Sequence, residues 1–436
     1  MPDPSGPTAA LDAGGSGRPR ALAVLADRPF RTYWTGQTLS AAGNAFSGLA
    51  LAFAVLSLTR SAAALGVVLL ASRAPSIVFF LVGGVLGDRY ARRVIMLAAD
   101  TARSVVQAAT AALLLSGHAQ LWSLAVLQAV AGTASAVFSP ASKGLVADLA
   151  PQGQLRAANS LLAMSAAVAA VVAVAASGAV VAAVGPGVAF AIDAVSFAAS
   201  TVSLAVLPGP ELTAHAPIPR RLLSDLAGGW AAVAERRWLC TYAAHVALLN
   251  TVAVSPLFVL GPLVADRYLG GAGAWAAIAA GYATGALAAS AVTLRWDPRR
   301  PLLTAYCLSL ALAPLLALLA VHAPIWAVAG AGLAAGAQTS AYNTFTTTAL
   351  QANIPNELLS RASAIVTVGG LLAVPIGMSA AGIAADALGT TTVLGIAASW
   401  VVVSGLAAIA TPTARTPISL APAEAPTAPL RPRPGR

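Results

Sequence analysis

The sequence predicts an all-α membrane protein with twelve transmembrane helices in two six-helix bundles and both termini in the cytoplasm. Three observations predict this fold: 58% of the 436 residues are hydrophobic and only 9% are charged, long stretches lack charge, and basic residues lie between those stretches. A soluble domain has about 25% charged residues, so an ordinary soluble globule is excluded. Twelve spans of about 20 residues need roughly 240 residues, which the chain easily supplies.

The predicted spans follow from long stretches in which the charged residues are only Arg73, Asp100, Arg103 and Asp193. Short breaks with Gly or Pro split three of the stretches into two spans each, as tight turns outside a membrane require. The stretches are residues 32–59, 61–87, 94–142, 157–207, 238–265, 268–294, 301–356, 362–385 and 387–410, and the breaks are residues 116–118, 185–187 and 322–324.

The basic residues predict the orientation. With both termini inside, all but four of the 25 Lys and Arg residues lie in cytoplasmic segments, as the positive-inside rule describes. The exceptions are Arg60 and Arg267 outside, and Arg73 and Arg103 within spans. The net charge of +10 is therefore interpreted as a topology signal, and we expect no nucleic-acid partner.

A polar segment, residues 208–237, is predicted to be a cytoplasmic linker between an N-terminal bundle (residues 29–207) and a C-terminal bundle (residues 238–410). The pattern Pro-x-x-x-Leu-x-x-Ala at residues 151–158 recurs at residues 355–362, at the same place in each half. This indicates two related bundles, the alternative being a chance match in a biased composition. The segments 1–28 and 411–436, rich in Pro and small residues, are predicted to be disordered cytoplasmic tails.

The loop between the second and third predicted spans carries the most specific motif. Residues 84–93 read Gly-Val-Leu-Gly-Asp-Arg-Tyr-Ala-Arg-Arg, which resembles the signature Gly-x-Leu-Ala-Asp-Arg-x-Gly-Arg-Arg of the major facilitator superfamily. The resemblance implies the major facilitator fold. It also implies a conformational latch on the cytoplasmic side between the halves, formed by Gly84, Asp88, Arg89, Arg92 and Arg93. The alternative is that the arginines only set topology.

Four further stretches are similar to one branch of that superfamily, the bacterial exporters of drugs, macrolides and siderophores. They are residues 71–75, 100–103, 138–141 and 193–197. The chain has many Arg residues and a single Lys, and it is rich in Ala, Gly and Pro. This composition is typical of a GC-rich bacterial genome. The predicted location is therefore the bacterial cytoplasmic (inner) membrane.

Four charged residues lie inside predicted spans, where a charge costs about 2.5–3.5 kcal/mol on insertion scales and marks a candidate functional site. Asp100 and Arg103 are three residues apart on one helix face, so we expect a structural pair or a role in coupling. Arg73 and Asp193 are expected either to pair as a gate or to meet substrate. Asp193 is the best candidate for a proton site, because burial disfavours a charged carboxylate.

The resemblance further implies that the first and fourth helices of each half line a substrate cavity. A lone polar residue in a span can instead bond a neighbouring helix. As a set, the polar residues of these helices are poor in acids, which suits a bulky, partly apolar solute better than a sugar. The candidate cavity residues are Gln37, Asn44, Gln128, Ser135, His245, Asn250, Gln338, Tyr342 and Asn343.

The predicted function is secondary active efflux of a hydrophobic or amphipathic small molecule, such as a drug or specialised metabolite, by alternating access in a monomer. Protons are the candidate coupling ion. The four histidines lack metal-ligand spacing and no Gly-rich loop ends in Lys-Ser or Lys-Thr, so we expect no enzyme activity, metal or cofactor.

Two departures from the exporter pattern keep other functions open. Asn44 stands where many proton-coupled exporters carry an acid, and residues 165–174 lack the Gly-Pro pair and Arg of the exporter motif. Uptake or exchange of a nutrient on the same fold is one alternative. A membrane sensor or scaffold without transport is the other, and the intact motif around Asp88 argues against it.

The predicted orientation is testable with a reporter that is active only outside the cell. Fused after Ser116, it should be active, because the positive-inside rule places this turn outside. The same reporter fused within residues 208–237 should be silent and serves as the control. A silent reporter after Ser116 would overturn the topology.

Overall fold

The computed structural model describes residues 24–89, 91–151, 154–207, 230, 233–293, 295–296, 298–354 and 356–412. Across these residues the chain is helical, without β-strands. The long helices, in chain order, are α1 (Arg28–Thr59), α2 (Ala62–Arg89), α3 (Arg92–Leu115), α4 (Leu121–Leu149), α5 (Leu155–Val184), α6 (Pro186–Val206), α7 (Arg237–Leu269), α8 (Ala272–Thr293), α9 (Pro301–Ala320), α10 (Ile325–Asn353), α11 (Asn356–Leu388) and α12 (Thr390–Ala410).

Eight of the described helices are long and apolar enough to cross a membrane, by length and composition: α1, α4 to α9, and α12. The remaining four, α2, α3, α10 and α11, have 28, 24, 29 and 33 residues. At 1.5 Å per residue each is long enough for a hydrocarbon core of about 30 Å. Since α3 carries Arg92, Arg93, Asp100 and Arg103, its composition is less apolar than that of the others. The count of twelve spans stays a prediction.

The helices end at the short breaks that the sequence predicts from Gly and Pro residues. Gly117 and Gly185 have φ angles of +73° and +85°, a region that glycine adopts without steric cost. The carboxylate of Asp27 accepts a hydrogen bond from the backbone N–H of Phe30 at 2.9 Å and caps the start of α1. Two π-helical turns, Asn250–Val254 and Ala265–Leu269, lie within α7.

Some predictions fall outside the described residues. These are most of the two tails, most of the 208–237 linker, and the side-chain surroundings of Gly84, Asp88 and Arg89. The division into two bundles, the disorder of the tails and the cytoplasmic termini stay predictions.

Helix contacts fall mainly within α1–α6 and within α7–α12. In the first group α1 packs on α5 and α6, α3 on α4 and α6, and α2 on α4; in the second, α10 packs on α8 and α9, α9 on α12, and α7 on α11. The two groups meet chiefly along two helix pairs, α2 with α11 and α5 with α8.

Among the described side chains, the apolar core is shared between the two groups at one end. One cluster of buried residues includes Leu56 of α1, Leu260 of α7, Trp275 of α8 and Met378 of α11. At the other end, two separate clusters form, one within α1–α6 and its preceding turn, and one within the C-terminal group. The shared end is the one that the arginine pattern places outside the cell.

The crossing of α8 and α10 brings backbone against backbone through two Gly-x-x-x-Gly motifs. A Cβ on Gly285 would lie 1.9 Å from the carbonyl oxygen of Leu333, and one on Gly336 would lie 1.8 Å from that of Tyr282. Gly281 and Gly332 make the same kind of contact one turn away. In lipid, where apolar side chains gain little by associating, such close approach provides much of the helix–helix attraction.

Gly336→Ala should therefore destabilise the protein, because the added methyl group meets a backbone oxygen that cannot turn aside. We expect a loss of about 1–3 kcal/mol, as for other overpacked sites, measured as a lower thermal unfolding midpoint in detergent. Gly330→Ala on the same helix is the control, since a Cβ there meets nothing within 4 Å. Equal midpoints for the two variants would contradict the packing described.

Candidate functional site

A polar cavity of about 380 Å³ lies among the first six helices. Its wall on α1 consists of Asn44, Ser47, Gly48 and Leu51, and its wall on α4 of Gln128, Ala131, Gly132 and Ser135. Both sets follow the i, i+3, i+4, i+7 spacing of one helix face. The other polar and aromatic lining residues are Ser72 and Arg73 of α2, Arg103 and Gln107 of α3, and Phe197 of α6.

A second cavity, of about 400 Å³ and mostly apolar, lies beside the first and between the two helix groups. Phe258 and Pro262 of α7, Trp275 of α8 and Met378 of α11 line it from the C-terminal side. Gly48, Leu69 and Arg73 line both cavities. The two are therefore adjacent lobes, one polar and one apolar, with Arg73 at their junction.

Asp100 and Arg103 form a buried ion pair behind the polar lobe. Arg103 donates to one carboxylate oxygen of Asp100, and the hydroxyl of Ser200 donates to the other at 2.7 Å. Gln37 in turn donates to the hydroxyl oxygen of Ser200 at 3.1 Å. Asp100 has no exposed surface and Arg103 only 5%, so the pair neutralises two charges inside the bundle.

The guanidinium of Arg103 also lies between two aromatic rings. Its Cζ atom is 4.2 Å from the ring centroid of Phe138 and 4.4 Å from that of Phe197. Both distances are within the range of cation–π attraction. Arg103 is therefore held by α3, α4 and α6 together.

Asp193 of α6 has neutral hydrogen-bonding partners. The amide of Gln107 donates to its Oδ2 at 2.8 Å, and the hydroxyl of Ser196 lies 3.3 Å from its Oδ1. Gln107 also accepts from Gln128 at 3.2 Å. The predicted pairing of Arg73 with Asp193 is thus not made in this structure: Asp193 is buried with Gln107, and Arg73 faces the cavities.

The five candidates in the C-terminal half do not line these two cavities, as far as the described residues extend. His245 and Tyr342 belong to an aromatic cluster in which the rings of His245 and Tyr306 meet edge to face, with centroids 5.1 Å apart. Gln338 borders a separate groove between α8, α9 and α10. Asn250 lies beside Gly370 of α11, and Asn343 is exposed on α10.

The fourth helix of the second half, α10, borders the groove that contains Gln338 and lines neither of these two cavities among the described residues. The expectation that the first and fourth helices of each half line the substrate cavity stays a prediction. On α7 the lining is apolar, Val254, Phe258 and Pro262. Val254 lies nine residues beyond His245, about 13.5 Å along the helix axis.

Two arginines of the predicted latch, Arg92 and Arg93, bind their own helix group. Arg92 donates to the backbone oxygen of Gly144 at 3.0 Å and to Asp148 at 2.9 Å. Arg93 donates to the backbone oxygens of Leu204 and Ala205 at the end of α6, where the helix dipole favours a cation. The expected latch between the two halves is not made by these two side chains in this structure.

Contacts between the two halves occur at the opposite end. Ser61 donates to the carboxylate of Asp386 at 3.2 Å, and Arg267 donates to the backbone oxygen of Arg60 at 2.7 Å. A Cβ on Gly66 would lie 2.7 Å from the backbone oxygen of Met378. These contacts separate the apolar lobe from the predicted outer surface.

Several site residues were not predicted. Gln107 lies one turn beyond Arg103 and two turns beyond Asp100, so the i, i+3, i+7 spacing on α3 contained the signal. No such signal exists for Phe197, Phe258 and Trp275. An aromatic residue in an apolar span has the same sequence context whether it faces lipid, core or cavity.

The helices, the central cavity and the closure at one end define a membrane transporter of the major facilitator type. A sequence profile described as transmembrane secretion effector matches residues 20–430. The chain belongs to this family of the major facilitator superfamily. Among functionally curated proteins, none matches the sequence.

Solved structures of transporters share the fold. The nucleoside transporter NupG superposes with a TM-score of 0.71 at 11% identity, over 88% of this chain and 98% of that one. A POT family transporter, solved with a thioalcohol-conjugated peptide, gives 0.69 at 12% identity, over 87% and 95%. A bacterial homologue of the lysosomal transporter Spinster, inward-facing and unoccupied, gives 0.62 at 16% identity, over 94% and 100%.

The buried pair gives a stability prediction. Asp100→Asn should lower the free energy of unfolding by about 3–5 kcal/mol, because Arg103 is left charged and unpaired in the bundle. Asp148→Asn removes the acid of a pair whose side chains are 31% and 30% exposed and should cost about 0–1 kcal/mol. Thermal unfolding in detergent compares the two.

A double variant separates charge burial from lost packing. Asp100→Asn combined with Arg103→Gln removes both charges and should be more stable than Asp100→Asn alone. If the double variant loses as much stability as the two single variants together, then the ion pair does not determine the loss of stability.

Proposed function

We propose that the protein is a twelve-span secondary transporter that exports a hydrophobic or amphipathic small molecule by alternating access of two six-helix halves. The cytoplasmic termini and the location in a bacterial inner membrane are part of the proposal. The observation that carries it is the central two-lobed cavity, closed at the predicted outer end and bordered at the other end by two separate cores. Such an arrangement supports rocking of the halves around a site near the midplane.

One feature favours an apolar or amphipathic solute, and another favours export over uptake. The lobe between the halves is lined mainly by apolar side chains such as Leu49, Phe258 and Met378, and apolar surface binds apolar solutes. The description of the family as secretion effectors also points outward. Uptake or exchange of a nutrient stays the alternative, since the similar structures include nucleoside and peptide transporters.

Asp193 is the acid that we propose for proton coupling. Of the two buried acids in the described spans, Asp100 neutralises Arg103, so protonating it would leave a buried cation unpaired. Asp193 hydrogen-bonds to Gln107 and Ser196, which are neutral. It can therefore take up a proton without isolating a charge, and Gln107 connects it to Gln128 in the cavity wall.

Accumulation of dyes and antibiotics in a strain that lacks its own pumps tests the export. Expression of the protein should lower accumulation of at least one compound, and a protonophore should restore it, because the proton gradient would drive export. Unchanged accumulation across the panel would refute the proposal, and a rise in uptake of a nutrient would support the alternative.

Asp193→Asn tests the coupling role in the same strain. It should abolish protonophore-sensitive export, since an amide can still accept the hydrogen bond from Gln107 but cannot take up and release the proton. Asp27→Asn is the control, because Asn also caps a helix and this position precedes α1. Undiminished export by Asp193→Asn at equal expression would remove Asp193 from the mechanism.

A further inference from the structure

Arg73 is a cation in the middle of α2 that makes no hydrogen bond or ion pair with any described residue. Its side chain is exposed to the two lobes that it lines. Arg103, by comparison, is paired with Asp100 and enclosed by two aromatic rings. Charges inside membrane proteins are costly and are found mostly where they are paired or functional, so Arg73 requires an explanation.

No acid compensates Arg73 within the cavities. The described residues that line the two lobes include Arg73 and Arg103 but neither Asp nor Glu. The two acids nearby in the bundle are engaged, Asp100 by Arg103 and Asp193 by Gln107 and Ser196. The described lining therefore has an excess positive charge at the junction of the two lobes.

The surroundings of Arg73 differ on its two sides. Toward the polar lobe lie side chains that can hydrogen-bond, including Asn44, Gln128 and Ser135. Toward the apolar lobe lie Phe258, Trp275 and Met378. Each lobe alone, at about 380 and 400 Å³, is within the usual size range of a small-molecule site.

We propose that the transported solute is an amphipathic anion whose negatively charged head, typified by a carboxylate, binds Arg73. The planar guanidinium offers paired N–H donors that match a carboxylate in two-point geometry. The apolar part of the solute occupies the lobe lined by Phe258, Trp275 and Met378. This inference names the substrate class for the proposed transport function and rests on it.

The proposal also explains why the cavity tolerates a free cation. While one end is open, water solvates Arg73. When the halves close around a solute, that water is displaced. A neutral solute would then leave the charge of the arginine without solvation. An anion replaces the lost solvation, so closure favours a solute of the opposite charge.

Binding to the purified full-length protein in nanodiscs tests this with two probes, pyrenebutyrate and its neutral amide, pyrenebutyramide. Energy transfer from tryptophan to pyrene reports binding, and the Trp275→Phe variant identifies the part that arises in the apolar lobe. We expect pyrenebutyrate to bind at least about tenfold more tightly than the amide, as for hydrogen bonds to charged groups. Arg73→Gln should lower its affinity by a similar factor and leave the amide unaffected.

Two control variants support the interpretation of Arg73→Gln. Arg73→Lys keeps the charge and should retain most of the preference for the carboxylate. Lys143→Gln removes an exposed positive charge of α4 outside both linings and should bind like wild type. If Arg73→Gln is not monodisperse, the wild-type preference for carboxylate over amide decides alone.

The proposal is overturned if the two probes bind wild type equally, if neither binds, or if a folded Arg73→Gln keeps full affinity for pyrenebutyrate. These outcomes are independent of the export assay. Anion binding without any effect on accumulation would refute the proposed function and leave the anion site standing. Export of neutral or cationic compounds alone, without an anion preference, would support the proposed function and refute the anion site.

Discussion

The buried pair of Asp100 and Arg103 is the interaction on which the N-terminal helix group depends. An unpaired charge in this environment would be far more costly than the pair itself, so the helices that supply its partners are fixed relative to one another. Ser200 on α6 bonds the acid, Phe138 and Phe197 enclose the base, and α1 joins through Gln37. Four helices are thereby tied to one point, and the wall of the polar lobe is built on them.

The same constraint separates structural charges from functional ones. Arg103 and Asp100 neutralise each other and leave little for a ligand, whereas Asp193 has neutral partners and Arg73 has none among the described residues. The paired charges of Asp100 and Arg103 give rigidity. The neutral partners of Asp193 permit a change of its protonation, and the lack of a partner for Arg73 among the described residues permits it to bind an opposite charge. Three kinds of chemistry thus follow from how each charge in the spans is, or is not, balanced.

The sequence is informative about helices and charges and uninformative about apolar surfaces. Breaks at Gly117 and Gly185 and the contact between Asp100 and Arg103 follow from spacing and from backbone preferences. The placement of Asn44 and Gln128 in one cavity is what the family resemblance implies. The lining by Phe258, Trp275 and Met378 does not, because lipid, core and cavity all accept the same side chains. The candidates in the second half are polar residues, whereas the cavity wall on that side is apolar.

The closed end of the molecule is held largely by close approach of helix backbones, beside the side-chain contacts of Ser61 with Asp386 and of Arg267 with the backbone of Arg60. Glycine positions such as Gly66, Gly382 and Gly178 bring α2 against α11 and α5 against α8. Backbone contacts of this kind cannot be released by rotating a side chain, so opening must separate whole helices and displace neighbouring lipid. The rate of opening would then depend on the lateral pressure of the bilayer. The acyl-chain composition of the lipid would affect the rate of transport as directly as any residue in the cavity.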